Sequence, residues 1–157
     1  MAAGVNTSPA NYSANFNIST SVSDGANPAV TGAKAFTGRP VNDEPSFNSL
    51  GNQSVGYESG AHTVANFVTP SAGGGTDENS QTFSYTVSNN NATLFSVALM
   101  IDASGALSYT VANNQTGTAT VTVAVTDSGG TPNGGDDPSG SQTFNIAVAA
   151  NTAPTIT

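Results

Sequence analysis

Carboxylates are the only chemically capable side chains that recur in groups along this 157-residue sequence, which holds ten of them. Eight of them stand in Asn42-Asp43-Glu44, in Asp77-Glu78-Asn79, at a lone Glu58, and in a Gly-rich stretch with Asp127, Asp136 and Asp137; Asp24 and Asp102 stand apart in turns. Carboxylates on loops, beside amides and backbone carbonyls, suit a hard cation such as calcium, which takes roughly six to eight oxygen ligands. The other chemistries lack their parts. There is no cysteine, hence no thiolate nucleophile, thiolate metal site or disulfide framework. The one imidazole, His62, sits in Ala61-His62-Thr63-Val64 beside a turn and reads as an exposed histidine on a polar face. Serines are abundant, so one near His62 means nothing without an oriented third group. Asp102, in Asp102-Ala103-Ser104-Gly105, reads as a turn aspartate bonding its own backbone rather than as an acid catalyst. The chain is therefore read as no enzyme.

These acids must be held by something other than helices. Period-two alternation runs through the sequence, most clearly at Phe83 to Val87, Ala119 to Val125 and Phe144 to Val148. Weaker runs cover Thr63 to Val68, Leu94 to Ile101 and Ala106 to Val111. Gly, Asn and Ser clusters separate them. About seven short strands with such turns predict an all-β antiparallel Greek-key sandwich, with Phe83, Tyr85, Val87, Leu107, Tyr109, Val121, Val123, Val125, Phe144 and Ile146 inside. Hydrophobic content of 36% with ordered alternation favours this over a disordered low-complexity tract. A net charge of −8 rules out the basic footprint of a nucleic-acid binder and disfavours anionic lipid. No apolar run approaches the length of a membrane-spanning helix.

An internal echo divides the chain. Asn17 to Gly25, then Phe36, then Val41-Asn42-Asp43-Glu44-Pro45 matches Thr120 to Gly129, then Phe144, then Asn151-Thr152-Ala153-Pro154. Asp24 answers Asp127, Phe36 answers Phe144 and Pro45 answers Pro154. Residues 1–46 are thus expected to be the C-terminal strands of a preceding repeat plus linker. Residues 47–150 form one complete repeat, and 151–157 open the next. The hairpin over 12–37 carries Tyr12, Phe16, Ile18, Val22 and Phe36 with little core to enter, so it is either loose or a strand donor to another copy.

These residues resemble the cadherin-like and immunoglobulin-like repeats arrayed in large bacterial surface adhesins. Val22-Ser23-Asp24-Gly25 followed by Val41-Asn42-Asp43-Glu44-Pro45 looks like that family's last hairpin and acidic linker. Val55-Gly56-Tyr57-Glu58 looks like its early glutamate segment, and Asp77-Glu78-Asn79 before Phe83-Ser84-Tyr85 is similar to its acidic loop. The sequence departs from the pattern at Ala112-Asn113-Asn114-Gln115-Thr116, where no carboxylate stands, and at the second linker, which has no acid. The resemblance implies calcium at the first junction, held by Asn42, Asp43, Asp77 and Glu78, with Glu58 turned to the opposite junction beside Asn151. The plainer alternative is that these acids solvate loops.

The function expected is a non-enzymatic extracellular spacer at a bacterial cell surface, active in cell adhesion. Its partners would be neighbouring repeats or copies of itself, with a surface protein or glycan beyond, and neither nucleic acid nor inserted membrane. The alternative is a self-assembling filament subunit joined by intermolecular strand complementation. Glycan binding has little aromatic support, because Tyr12, Tyr57, Tyr85 and Tyr109 occupy strand or core positions. Lys34 reads as an edge lysine discouraging sheet pairing rather than as a partner in an isopeptide bond. Asn-X-Ser/Thr triplets at Asn6, Asn11, Asn17, Asn52, Asn91 and Asn114 come with the composition.

Overall fold

The computed structural model describes residues 16–38 and 41–152. The chain is mostly β with almost no helix, arranged in several sheets. An N-terminal hairpin pairs β1 (Phe16–Val22) with β2 (Val30–Phe36). The rest holds β3 (Ser46–Phe47), β4 (Gln53–Val55), β5 (Ala61–Val64), β6 (Pro70–Ser71), β7 (Phe83–Asn89), β8 (Phe95–Ile101), β9 (Leu107–Val111), β10 (Gly117–Asp127) and β11 (Gln142–Val148). One sheet runs β4-β11-β10-β7 and another β5-β9-β8, with β3 and β6 as a small separate pair. All pairings are antiparallel except β4 with β11.

β10 is the centre of the body. Its Thr/Val alternation suits a pleated strand, and it pairs on both sides, with β11 and with β7. Ala119, Val121, Val123 and Val125 are all fully buried, while the intervening threonines are not. Those side chains join Leu107, Tyr109 and Val111 of β9, Leu99 and Ile101 of β8, and Phe144 and Ile146 of β11 in one apolar cluster. Residues from both larger sheets therefore share a single core. Phe67 meets Phe144 edge-on at 4.8 Å, and Phe95 meets Tyr109 at 5.7 Å.

Seven of the ten expected core residues are buried. Phe83, Tyr85 and Val87 are only half-buried against the cluster. All three lie on β7, the outermost strand of its sheet, where one flank pairs with no strand among the described residues. Among the described residues nine strands rather than seven follow residue 45, because the short β3, β4 and β6 lie outside the expected runs. The expected run Thr63 to Val68 is itself cut short. Asn66 takes a positive φ of 51°, which ends the extended run and turns Phe67 and Val68 into the core. His62 differs from expectation too: it is half-buried and stacks on Tyr109 with centroids 5.2 Å apart.

The hairpin has a different character. Every residue from 17 to 37 is exposed, Val22 by 73% and Val30 by 76%. Its register puts Ile18 opposite Lys34, Thr20 opposite Gly32 and Val22 opposite Val30, all on one face. The Tyr12 expected on that face lies outside the described residues.

Candidate functional site

The segment expected to be a linker is packed onto the body. Pro45 is fully buried and Asn42 is 9% exposed. Asn42 Nδ2 donates to Asp127 Oδ1 at 3.0 Å and to the Asp136 carbonyl at 2.9 Å, and Asp136 N–H donates back to the Asn42 carbonyl at 3.0 Å. Gln81 Nε2 donates to Asn42 Oδ1 at 2.8 Å. Turned over, Gln81 would instead donate to both Asp127 oxygens, at 3.0 and 3.1 Å, and its own oxygen would no longer stand against that carboxylate. Gly129 is required here, since a Cβ would run into the Asn42 amide. Asn42 thus ties three loops together with an amide fully used by protein partners. Asp127 is spent in the same network, also accepting from Gly129 N–H at 2.9 Å.

Beside this lock stands the acidic pair. Glu78 is 4% exposed, and its Oε1 accepts from Asp43 N–H at 2.8 Å and its Oε2 from Gly74 N–H at 2.7 Å. A Cβ at Gly74 would collide with Glu78 Oε2 and come within 2.8 Å of Asp43 Oδ2, so both carboxylates converge on that glycine. Asp43 Oδ2 is buried with no hydrogen-bond partner. Asp77, half-buried, lines a cleft of about 170 Å³ with Asn42, Glu78, Gln81 and Gly129. Four of the five residues expected at a calcium site therefore gather at one end of the body. Among the described residues, no three acidic or imidazole side chains converge closely enough to form a metal-holding group by themselves.

Glu58 is elsewhere. Its Oε1 accepts from Asn114 N–H at 3.3 Å, and Tyr57 donates to Asn114 Oδ1 at 3.1 Å, next to the turn before β10. β10, eleven residues long, runs from that turn to Asp127, a length of about 35 Å at strand rise. The third group, Asp136 and Asp137, does not close around an ion either: Asp136 is exposed, and Asp137 accepts from Asp127 N–H at 3.4 Å. Burial, with the charges of Asp127 and Asp136, holds Asp137 above the ordinary carboxylate range.

Two other expectations concern chemistry. Asp102 Oδ1 accepts from Ser104 N–H, Ser104 Oγ and Ala106 N–H at 2.8, 2.6 and 3.1 Å, and these bonds lower its pKa, as a turn aspartate requires. His62 Nε2 lies 2.8 Å from Ser59 Oγ, yet among the described residues no carboxylate bonds its other nitrogen. Sequence reasoning missed Gln81 and the role of Asp127 as the linker's anchor. A usable signal was present in Gly73-Gly74-Gly75 and Gly129-Gly130, read only as turns, where small residues let other side chains approach. Comparison with protein-family models finds no match, and comparison with curated proteins finds none either.

Proposed function

We propose that this chain is a non-enzymatic segment of a tandem array of extracellular β-domains, holding distance at a bacterial cell surface. The observation that carries it is the hairpin β1–β2: it echoes β10–β11 in sequence, yet its residues 17–37 are exposed and, among the described residues, no second sheet covers it as one covers β10–β11. A terminal hairpin of a preceding repeat has this character, and repeats that contact only neighbours gain length without a larger core. On this reading residues 47–150 are a Greek-key sandwich of the cadherin-like and immunoglobulin-like kind. Support comes from the order β4-β11-β10-β7 beside β5-β9-β8, the parallel β4–β11 pair and the shared core.

Calcium at the first junction belongs to the same proposal. The residues fit in one respect: Asp43 Oδ2 is buried, unpartnered and beside Glu78, an arrangement that a cation would satisfy. Asp43, Glu78 and Asp77 would hold the ion, with backbone carbonyls and water completing the shell. Asn42 would act beside it by fixing the linker, and Glu58 would take no part. Stretching single molecules of the full chain tests the spacer reading. The body is expected to open in one step releasing about 350 Å of contour for its roughly 105 residues, and the hairpin to add no step of its own. Opening in several small steps would overturn it. A second reading, strand complementation between copies, is favoured by the same exposed hairpin.

A further inference from the structure

The strands exposed at sheet edges are not equally protected against pairing. β4 has three residues and β5 four, and β8 is broken by two register shifts against β9. β2 carries Lys34. Shortness, bulges and lysine are the usual guards of an edge. Two edges have none of them: β1, Phe-Asn-Ile-Ser-Thr-Ser-Val, and β7, Phe-Ser-Tyr-Thr-Val-Ser-Asn. Both are seven residues long, uncharged and free of proline, and among the described residues each pairs on one side only.

We infer that β1 of one copy adds to the open edge of β7 in a second copy, extending the β4-β11-β10-β7 sheet by the β1–β2 hairpin. This rests on the strand-complementation reading and names its acceptor. Backbone geometry at β7 is suitable. Asn90 N–H donates to the Thr120 carbonyl, and along the β7–β10 register this assigns the even-numbered β7 residues to bonds with β10. By antiparallel alternation, the N–H and C=O groups of Phe83, Tyr85, Val87 and Asn89 then point to the open edge.

The faces match as well. Phe83, Tyr85 and Val87 are half-buried on the core side, and a hairpin joined to β7 in the register that turns Ile18, Val22 and Val30 inward sets them beside these residues. Charge complements shape: the two hairpin strands contain Lys34 and no carboxylate. Asp102 lies near Tyr85, whose phenol is pushed up by burial and then by the Asp102 charge. The contact is heterologous, donor hairpin to acceptor edge, so it propagates into a filament unless the rotation closes.

Amide hydrogen exchange on the full chain, from micromolar to millimolar concentration alongside light scattering, tests this. Expected are growing assemblies and at least tenfold slower exchange at Phe83, Tyr85 and Val87 as concentration rises. Ser19→Pro in β1 should abolish both while leaving protection of Val121 and Val123 intact. Assembly that protects a different edge would overturn β7 as acceptor and leave strand complementation standing. A chain that stays monomeric at millimolar concentration would overturn both.

Discussion

Replacing Asn42 with alanine asks whether the linker is held by a polar lock or by an ion. The side chain makes three hydrogen bonds, to Asp127 Oδ1, to the Asp136 carbonyl and from Gln81. The bond to a buried carboxylate is worth about 1.5–3 kcal/mol, and a neutral bond nearer 1. Asp127 is 6% exposed and keeps Gly129 N–H as a donor, so it loses one partner and not all. Water can reach the Asp136 carbonyl, because that residue is exposed. The sum expected for Asn42→Ala is a loss of about 3 kcal/mol. With a urea slope of roughly 2 kcal/mol per molar, the midpoint should fall by about 1.5 M with the slope unchanged. The same fall should appear in chelator and in millimolar calcium, because the amide acts on protein groups. Asn42→Asp sharpens the test by setting a second carboxylate against Asp127. That variant should recover stability as pH is lowered from 7 to 4 and one of the two takes a proton, whereas Asn42→Ala should show no such recovery. A loss below about 0.5 kcal/mol, or a loss seen only with calcium, would refute the lock.

Three further outcomes are expected. Val123→Ala, at a fully buried position of the central strand, should cost about 1–3 kcal/mol by chemical denaturation, and an unchanged midpoint would contradict the core assignment. Calorimetry should detect calcium at millimolar concentration on the wild type and weaker binding on Asp43→Asn; no heat with the wild type leaves Asp43 and Glu78 as structural acids only. In the hairpin, the Asn27 N–H, the Asn27 side chain and the Ala26 N–H hold Asp24 down from 3.8 to about 2. Its folded value lies below the unfolded one, so its contribution is complete above about pH 4 and is lost as pH falls toward 2. The Ala26 and Asn27 amide resonances should titrate with a midpoint near 2, and a midpoint near 4 would mean that the turn does not form.

What the sequence carried follows from where the strands sit. β10, β11 and β9 were legible because strands flanked on both sides bury one face completely, and period-two alternation reports that burial. β7 reads just as clearly, FSYTVSN, yet its inward residues are half-buried. Alternation reveals a face but says nothing about whether a neighbour covers the flank. The same blindness affected His62, whose parity with Val64 puts it inward against Tyr109. A polar residue type suggested solvent, and the register decided otherwise. The gathering of Asn42, Asp43, Asp77 and Glu78 at one end was expected from the resemblance, which sets these loops at a shared junction. The division of labour among them was not. Asn42 and Asp43 are adjacent, and only the partners brought by Gln81, Asp127 and Gly74 separate a lock from a candidate ligand.

A linker fixed by metal alone loosens whenever the ion leaves, and its stiffness follows the calcium concentration. Here the Asn42 network and the burial of Pro45 hold residues 42–45 to the body through protein contacts alone. An ion at Asp43 and Glu78 would then neutralise two neighbouring carboxylates rather than create the junction. Calcium binding at this site should therefore raise the melting temperature by the linkage term for a millimolar site, a few degrees at saturating concentration. It should leave the overall dimensions in solution nearly unchanged. A large compaction or extension on adding calcium, read by small-angle scattering, would show that the polar lock does not hold the linker.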